Sequence, residues 1–467
     1  MKAKENLETK VIEVGKKKTD GLVKCPKCSS TDITYSEKKK KLICNYCRCE
    51  FDEEKHVDNE DIKKLKGKTI GSGAKKISED ASDLITIECE GCGAEIVIDT
   101  NDNVQKRCHW CRSYLSLNKK VPNGAVPDLV LPFLIAKDDA RKSIEGFVKK
   151  RQFFAHPIFK KEFTTENILG VYLPYMVIDL NTHSKFTGEA EILVREYTVG
   201  DDEDERTYYD ADAYDIEREF DLAIDNLTVE SSVDKLDHKD KVKTTNIINS
   251  IMPFDLENAV VWDANFLKGY TSEKRDTNID ELSDYVYVQA KDIARHAIND
   301  DLVNYDRGVS WDSEELSVVG EKWLSAYLPV WLYSYKSGDN TLHYVAVNAR
   351  SKETMGSVPI NKPKLIFVSF IVEIFCLFAT AFADFDGFEY AFLIGGFLYY
   401  YLIYSSYRNQ GARHKYEKET KNEISNLVRV DDYTGLKKGL SNSRISGQNN
   451  KRVNTKTFEE INKGKIK

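Results

Sequence analysis

The sequence predicts a multidomain fold with two small β ribbons, an α+β soluble domain and a two-helix transmembrane hairpin. Nine of the ten cysteines lie before position 112, mostly as C-x-x-C pairs. Helical and extended patterns are mixed between residues 126 and 360, and two apolar runs follow between residues 365 and 407. A chain of 467 residues is long enough for several such domains.

Residues 1–20 are polar and rich in lysine, which predicts a disordered N-terminus. They contain no apolar segment of the kind that forms the centre of a signal peptide. Paired thiols persist as metal ligands in a reducing compartment, so we expect the cysteine-rich modules to face the cytosol.

The cysteines form two sets with one spacing. Residues 21–52 contain Cys25, Cys28, Cys44 and Cys47, and residues 84–118 contain Cys89, Cys92, Cys108 and Cys111. Each C-x-x-C turn offers two thiolates, and four thiolates complete the tetrahedron that a structural zinc ion prefers. The sequence therefore predicts two zinc ribbons with two structural Zn²⁺ sites, in which no coordination position is left for a catalytic water.

Two neighbouring residues leave alternatives open. Cys49 could exchange with Cys47 as a ligand or be a bystander, and the matching place in the second module holds Ser113. His109 could replace a thiol, but four cysteines suffice without it. Residues 53–83, which are charged and contain glycine and serine, are interpreted as a linker between the ribbons.

Residues 126–360 are predicted to form the α+β domain. Helical spacing indicates helices over 138–150 and 279–299, the composition of 170–180 is typical of a strand, and a hairpin is expected over 327–349. Leu131-Pro132-Phe133 and Tyr172-Leu173-Pro174 are echoed by Met252-Pro253-Phe254 and Tyr327-Leu328-Pro329. This echo suggests two related halves, although such short apolar tripeptides also recur by chance.

Residues 365–407 are predicted to form a transmembrane helical hairpin, with spans over 365–383 and 390–407. The flanking basic residues place the ribbons and the basic tail, residues 408–467, in the cytosol at the plasma membrane. The alternative is a pair of buried core helices. Glu373, inside the first span, is expected to pair with another subunit or with a polar group of the second helix; the alternatives are that it faces the interior of the helix bundle or is a tolerated defect.

Charge is unevenly distributed along the chain. Formal net charges are +4 for residues 1–120, −18 for 121–360, −2 for 361–407 and +8 for 408–467, which together give −8. The acidic block would repel phosphate backbones. There is no G-x-x-x-x-G-K-[ST], H-E-x-x-H or G-x-S-x-G motif, and the sequence predicts no enzyme.

The chain resembles the bacterial membrane-anchored proteins with transcription factor IIB-type zinc ribbons. The resemblance lies in the two ribbons, in Leu129–Phe133, in Gly170–Tyr175, and above all in the segment from Tyr327-Leu328-Pro329-Val330-Trp331-Leu332 to Asn348. Members are often labelled primosomal, helicase-like or RNA-polymerase-subunit-like. After Asn348 the family tends to have a glycine-rich turn, where this chain has Ala349-Arg350-Ser351-Lys352.

Three functions follow as expectations. The first is a membrane-tethered zinc-ribbon adaptor or scaffold that binds protein partners, in envelope-stress or membrane-organisation assemblies as the resemblance implies. The second is a nucleic-acid-binding ribbon protein held at the membrane, related to replication or transcription. The charge of the acidic block disfavours the second, because phosphate contacts set nucleic-acid affinity. A third, an enzyme or transporter subunit, is supported only by Glu373.

Overall fold

The computed structural model describes residues 9–12, 14, 25–30, 33–36, 38–52, 60–76, 84–89, 94–99, 108–111, 120–121, 127–200, 206–232, 243–244, 251–262, 264–267, 269–273, 275, 277–298, 302, 304–336, 341–382, 394–408, 428–429 and 437–448. The strands are β1 Thr9–Ile12, β2 Ile33–Ser36, β3 Lys41–Cys44, β4 Glu50–Phe51, β5 Gly67–Gly71, β6 Leu84–Glu88, β7 Glu95–Asp99, β8 Lys120–Val121, β9 Leu129–Val130, β10 Leu169–Val199, β11 Arg206–Glu230, β12 Lys243–Thr244, β13 Val260–Val261, β14 Thr271–Glu273, β15 Gly308–Lys336, β16 Thr341–Asn348, β17 Thr354–Gly356, β18 Val428–Arg429 and β19 Lys437–Gln448. The α-helices are α1 Lys137–Lys150, α2 Pro157–Glu162, α3 Ile279–Ala297, α4 Lys362–Phe382 and α5 Gly395–Arg408.

A single 16-stranded sheet dominates the described structure, and a separate three-stranded sheet is formed by β2, β3 and β4. The long strands β10 and β15 are antiparallel neighbours at the centre of the large sheet, and β11 pairs with the other edge of β10. The protein is therefore mostly β. The prediction of two separate ribbons attached to an α+β domain is wrong in this respect, because strands of the second ribbon belong to the same sheet as the main domain.

The central strands are apolar because both faces of the sheet are covered. Along β10, Val171, Leu173, Tyr175 and Val177 pack into one core cluster, while Tyr172, Met176 and Ile178 pack into clusters on the opposite face. A strand that is covered on both faces loses the alternation of apolar and polar residues and becomes a continuous apolar run. That run is the feature that predicted the strand over 170–180.

The two echoed tripeptides pair with each other. Tyr172 lies opposite Pro329, Leu173 opposite Leu328, and Pro174 opposite Tyr327, so the pairing is symmetric about Leu173 and Leu328. Asn348, the last residue of the 327–348 segment that carries most of the family resemblance, donates from its amide nitrogen to the carbonyl oxygens of Ile251 and Pro253 at 2.9 and 2.8 Å. This arrangement fits two related halves, which stays a prediction.

Parts of the chain that were predicted to lack structure contribute strands. In the predicted linker, β5 pairs in parallel with both β1 and β15, and β1 itself lies in the N-terminal stretch predicted to be disordered. Asp128 fixes this segment, since its carboxylate accepts hydrogen bonds from the Gly73 N–H and the Ser325 N–H at 2.7 and 2.9 Å. The predicted linker differs from the structure over residues 60–76, which are part of the folded body.

The predicted transmembrane hairpin over 365–407 is wrong. In the described part of the chain no helix combines the length and the apolar character needed to cross a membrane. The integral membrane partnership and the plasma-membrane localisation rested on these spans, and both are corrected with them.

The close approach of β5 to β15 predicts a large effect for one glycine substitution. An added Cβ at Gly320 would lie 2.2 Å from the Leu65 carbonyl oxygen and 2.6 Å from the Lys66 nitrogen, both backbone atoms. We expect Gly320→Ala to lower the free energy of unfolding by about 2–3 kcal/mol, because the backbone must shift to admit the methyl group.

Gly146→Ala in α1 is the matched control. Its Cβ meets no atom within 4 Å, and helix propensity favours alanine by about 1 kcal/mol. Urea denaturation of both variants measures the difference, and equal effects would contradict the packing of residues 60–76 on β15.

Candidate metal centres and a candidate docking surface

Four predicted ligands of the first ribbon meet at one point. The sulfur atoms of Cys25, Cys28, Cys44 and Cys47 all lie within 4.8 Å of one another, with Cys25–Cys47 and Cys28–Cys44 separations of 3.5 Å. Four sulfurs around a zinc ion with Zn–S bonds of about 2.3 Å are spaced about 3.8 Å apart. The cluster could therefore hold a metal ion and is compatible with zinc.

The backbone of the two knuckles explains how they present their thiols. The Ser29 N–H donates to the Cys25 carbonyl at 2.8 Å, and the Arg48 N–H donates to the Cys44 carbonyl at 2.9 Å, so each knuckle is one tight turn. Ser29 and Arg48 have positive φ angles of 58° and 59°. Burial raises the pKa of the Cys25 thiol, but hydrogen bonds from the backbone of Cys28 and Lys27 outweigh this effect and lower the pKa to about 6. At Cys25 this favours the thiolate, which is the form that binds metal. At Cys28 the backbone of Ser30 lowers the thiol pKa, but burial and the neighbouring thiols outweigh it and raise that pKa.

Cys49 lies beside this first cluster rather than in its ligand set. Its carbonyl oxygen accepts a hydrogen bond from the Cys44 N–H at 3.0 Å, and its thiol faces the Glu50 carbonyl oxygen at 3.9 Å. Burial and the neighbouring thiols Cys25 and Cys47 raise the pKa of the Cys49 thiol. These contacts fit the bystander interpretation of Cys49.

The second cluster brings together Cys89, Cys108 and Cys111, again with all sulfurs within 4.8 Å, and Cys89 lies 3.4 Å from Cys111. The fourth predicted ligand, Cys92, lies outside the described residues. Cys89 and Cys108 have no exposed surface. The three described thiols, two of them buried and Cys111 half-buried, could hold a metal ion.

The second cluster is built into the core of the large sheet. Strand β7 pairs with β14, and Cys89, Cys108 and Trp110 belong to the same buried cluster as Leu173 and Leu328. His109 is not among the clustered ligands. Its ring Nδ1 lies 3.3 Å from the Thr271 hydroxyl, and its carbonyl oxygen accepts a hydrogen bond from the Ser334 hydroxyl at 2.9 Å. His109 therefore ties the second knuckle to β14 and β15.

No family model, no curated protein and no solved structure matches this chain. The resemblance to proteins with transcription factor IIB-type ribbons therefore stays a prediction.

The first ribbon, unlike the second, is not part of the large sheet and instead packs on the main body through the apolar face of its own small sheet. Its sheet contributes Ile33, Tyr35 and Leu42 to the cluster that also contains Phe266 and Trp331, and the Tyr35 and Phe266 rings lie 5.6 Å apart. Because the apolar side of this ribbon packs on the main body, a metal ion that holds the ribbon in shape would also stabilise that contact.

Helices α4 and α5 form the most apolar exposed surface among the described residues. Phe375 and Phe397 are 70% and 72% exposed, and the large exposed apolar side chains of the pair are Ile366, Phe367, Phe370, Ile374, Phe375, Leu377, Phe378, Ile394, Phe397, Leu398, Tyr401 and Leu402. Surfaces of this kind mark sites of interaction. We call this set the helix-pair surface.

The helix pair is anchored at its base and held together internally. The Phe154 N–H donates to the Tyr407 hydroxyl at 3.0 Å, and the Lys364 ammonium donates to the Phe153 carbonyl at 2.8 Å. Between the helices, the Glu373 carboxylate accepts a hydrogen bond from the Gly396 N–H at 2.6 Å. Gly396 lies in the first turn of α5, where unsatisfied N–H groups and the helix dipole favour a negative charge. Glu373 thus pairs with the second helix, which was one of the expected alternatives.

Sequence reasoning missed the contribution of β11. The acidic run 201–205 lies outside the described residues, but the strand that follows it is strongly acidic and still part of the sheet. Arg195 and Lys185 on β10 pair with Asp210 and Glu217 on β11 at 2.5 and 2.6 Å. Alternation of apolar and charged residues over 206–222 was the signal that could have indicated this strand.

Proposed function

We propose that the protein is an adaptor that binds other proteins, with two zinc ions acting as structural supports. The helix-pair surface carries this proposal. A contiguous apolar surface of this extent needs a partner, because monomeric proteins rarely leave such patches in water. The occupant that we propose is a protein with an apolar face that packs on α4 and α5.

The metal clusters support a structural use of zinc. Both are lined by cysteine thiols; Cys89 and Cys108 of the second lie in the core of the main sheet, and the ribbon that holds the first packs on the main body through Ile33, Tyr35 and Leu42. Four thiolates, as in the first cluster, fill the tetrahedron of a zinc ion and leave no open position for a substrate. The resemblance to zinc-ribbon proteins supports the same use of the metal.

Site-specific photocrosslinking tests the adaptor function. A photoreactive phenylalanine analogue at Phe375 or Phe397 should yield the same discrete protein adduct in cells of the source organism. The analogue at Val199, which is also exposed but lies at the far end of β10, is the matched control and should not yield it.

The crosslinked protein must then be shown to bind the purified chain directly. We expect the identified protein to bind the purified full chain, and Phe397→Glu to weaken that binding at least tenfold. Adducts to lipid rather than protein at Phe375 and Phe397, or the same adducts from Val199, would contradict an adaptor that works through the helix-pair surface.

A further inference from the structure

The outer edge of β11 is covered by the C-terminal part of the chain. One edge of β11 pairs with β10 along almost its whole length. On the other edge, β18 pairs with Leu222 and Ala223, and β19 pairs antiparallel with Tyr208 to Glu217. We call β19, residues 437–448, the cover strand.

The covered edge and the cover strand have opposite charges. Between Tyr208 and Glu217, β11 carries Asp210, Asp212, Asp215 and Glu217 and no lysine or arginine. The cover strand carries Lys437, Lys438 and Arg444 and no acidic residue. In the register of the pair, Arg444 lies opposite Asp212 and Lys437 opposite Glu217.

The cover strand has the composition of a strand that is held weakly. It contains Gly439, Gly447, Asn442 and three serines, residues that contribute little to strand stability. By contrast, the inner edge of β11 pairs with β10 from Arg206 to Glu230 and buries Phe220, Leu222 and Ile224. The inner edge of β11 is therefore held by more pairing and burial than its outer edge.

We propose that the outer edge of β11 over Tyr208–Glu217 is a docking site for a basic, extended segment of another protein, and that the cover strand competes for it. An uncovered edge presents a row of backbone N–H and C=O groups, which bind an added strand through main-chain hydrogen bonds. The acidic composition of this edge favours a basic strand, although Asp210 and Glu217 also pair with Arg195 and Lys185 on β10. This site is separate from the helix-pair surface, so each can fail without the other.

Peptide binding to the full chain tests the proposal. The probe is a fluorescein-labelled peptide with the sequence of residues 435–450. In the variant Lys437→Glu/Lys438→Glu/Arg444→Glu the cover strand should no longer compete, and we expect this variant to bind the peptide at least tenfold more tightly than the unmodified chain. Higher salt should weaken the binding, because it depends on charge.

Two controls separate docking from general electrostatics. Lys451→Glu/Arg452→Glu/Lys456→Glu makes the same change in net charge outside the cover strand and should leave peptide affinity unchanged. A peptide with the three basic residues reversed should not bind. Hydrogen exchange should show faster exchange at residues 208–217 in the cover-strand variant and slower exchange after the peptide is added. Equal affinity of the cover-strand variant and the unmodified chain, or no binding by that variant at 1 mM peptide, would overturn the proposal.

Discussion

Cys108→Ser is expected to unfold the centre of the protein. The Cys108 thiol is fully buried in the core cluster that contains Leu173 and Leu328, and it lies with Cys89 and Cys111 in the second metal cluster. Structural zinc contributes about 10–16 kcal/mol to the folding of isolated zinc fingers, so we expect the free energy of unfolding to fall by about 5 kcal/mol or more. The zinc content should fall from two ions to one per chain, measured by mass spectrometry of the metal.

Cys44→Ser in the first ribbon is the informative comparison. It should also release one zinc ion, but its sheet of β2, β3 and β4 is separate from the large sheet. We therefore expect a smaller loss in the temperature of unfolding than for Cys108→Ser. Cys49→Ser should retain both ions. Equal destabilisation by Cys44→Ser and Cys108→Ser would show that the second cluster stabilises the core no more than the first cluster does.

The cysteine spacing made the first metal cluster predictable because the chemistry of the ligands is local. Two thiols three residues apart form a knuckle whatever the rest of the fold does, as Cys25 and Cys28 do. The placement of the second ribbon was not predictable from the same spacing. Its integration depends on β7 pairing with β14, whose residues lie far away in the sequence.

The hydropathy of the sequence predicted the central strand correctly, but its prediction of transmembrane spans for the helix pair was wrong. An apolar run such as 365–383 indicates side chains that avoid water, but it does not identify the surface that covers them. The strand over 170–180 was predictable because coverage on both faces leaves a continuous apolar run there. Strand β11 was missed although residues 206–222 alternate, because its acidic residues are paired by residues of another strand, as Glu217 is by Lys185, and local sequence does not show which charges will meet.

Asp128→Ala is expected to release residues 60–76 from the sheet. The Asp128 carboxylate accepts hydrogen bonds from Gly73 N–H, Ser325 N–H and the Ser72 hydroxyl, at 2.7, 2.9 and 3.2 Å. Alanine would leave two buried backbone donors without an acceptor, at about 1–3 kcal/mol each, so we expect a loss of about 3–5 kcal/mol. Hydrogen exchange over β5 and urea denaturation measure it. Asp138→Ala, at the exposed start of α1, should cost less than about 1 kcal/mol.

The pH dependence of the free energy of unfolding, compared between the unmodified chain and Asp128→Asn, tests the same site in a second way. Burial raises the pKa of the Asp128 carboxyl above its usual value, although the hydrogen bonds from Gly73 and Ser325 oppose this shift. The folded state therefore holds the proton at a higher pH than the unfolded state does. The stability that protonation provides is fully present below the unfolded pKa of about 4 and is lost as the pH rises through the folded pKa. We thus expect the free energy of unfolding of the unmodified chain to decrease relative to that of Asp128→Asn as the pH is raised from about 4. A difference that grows with pH would mean that the carboxylate is stabilised by its partners more than it is penalised by burial.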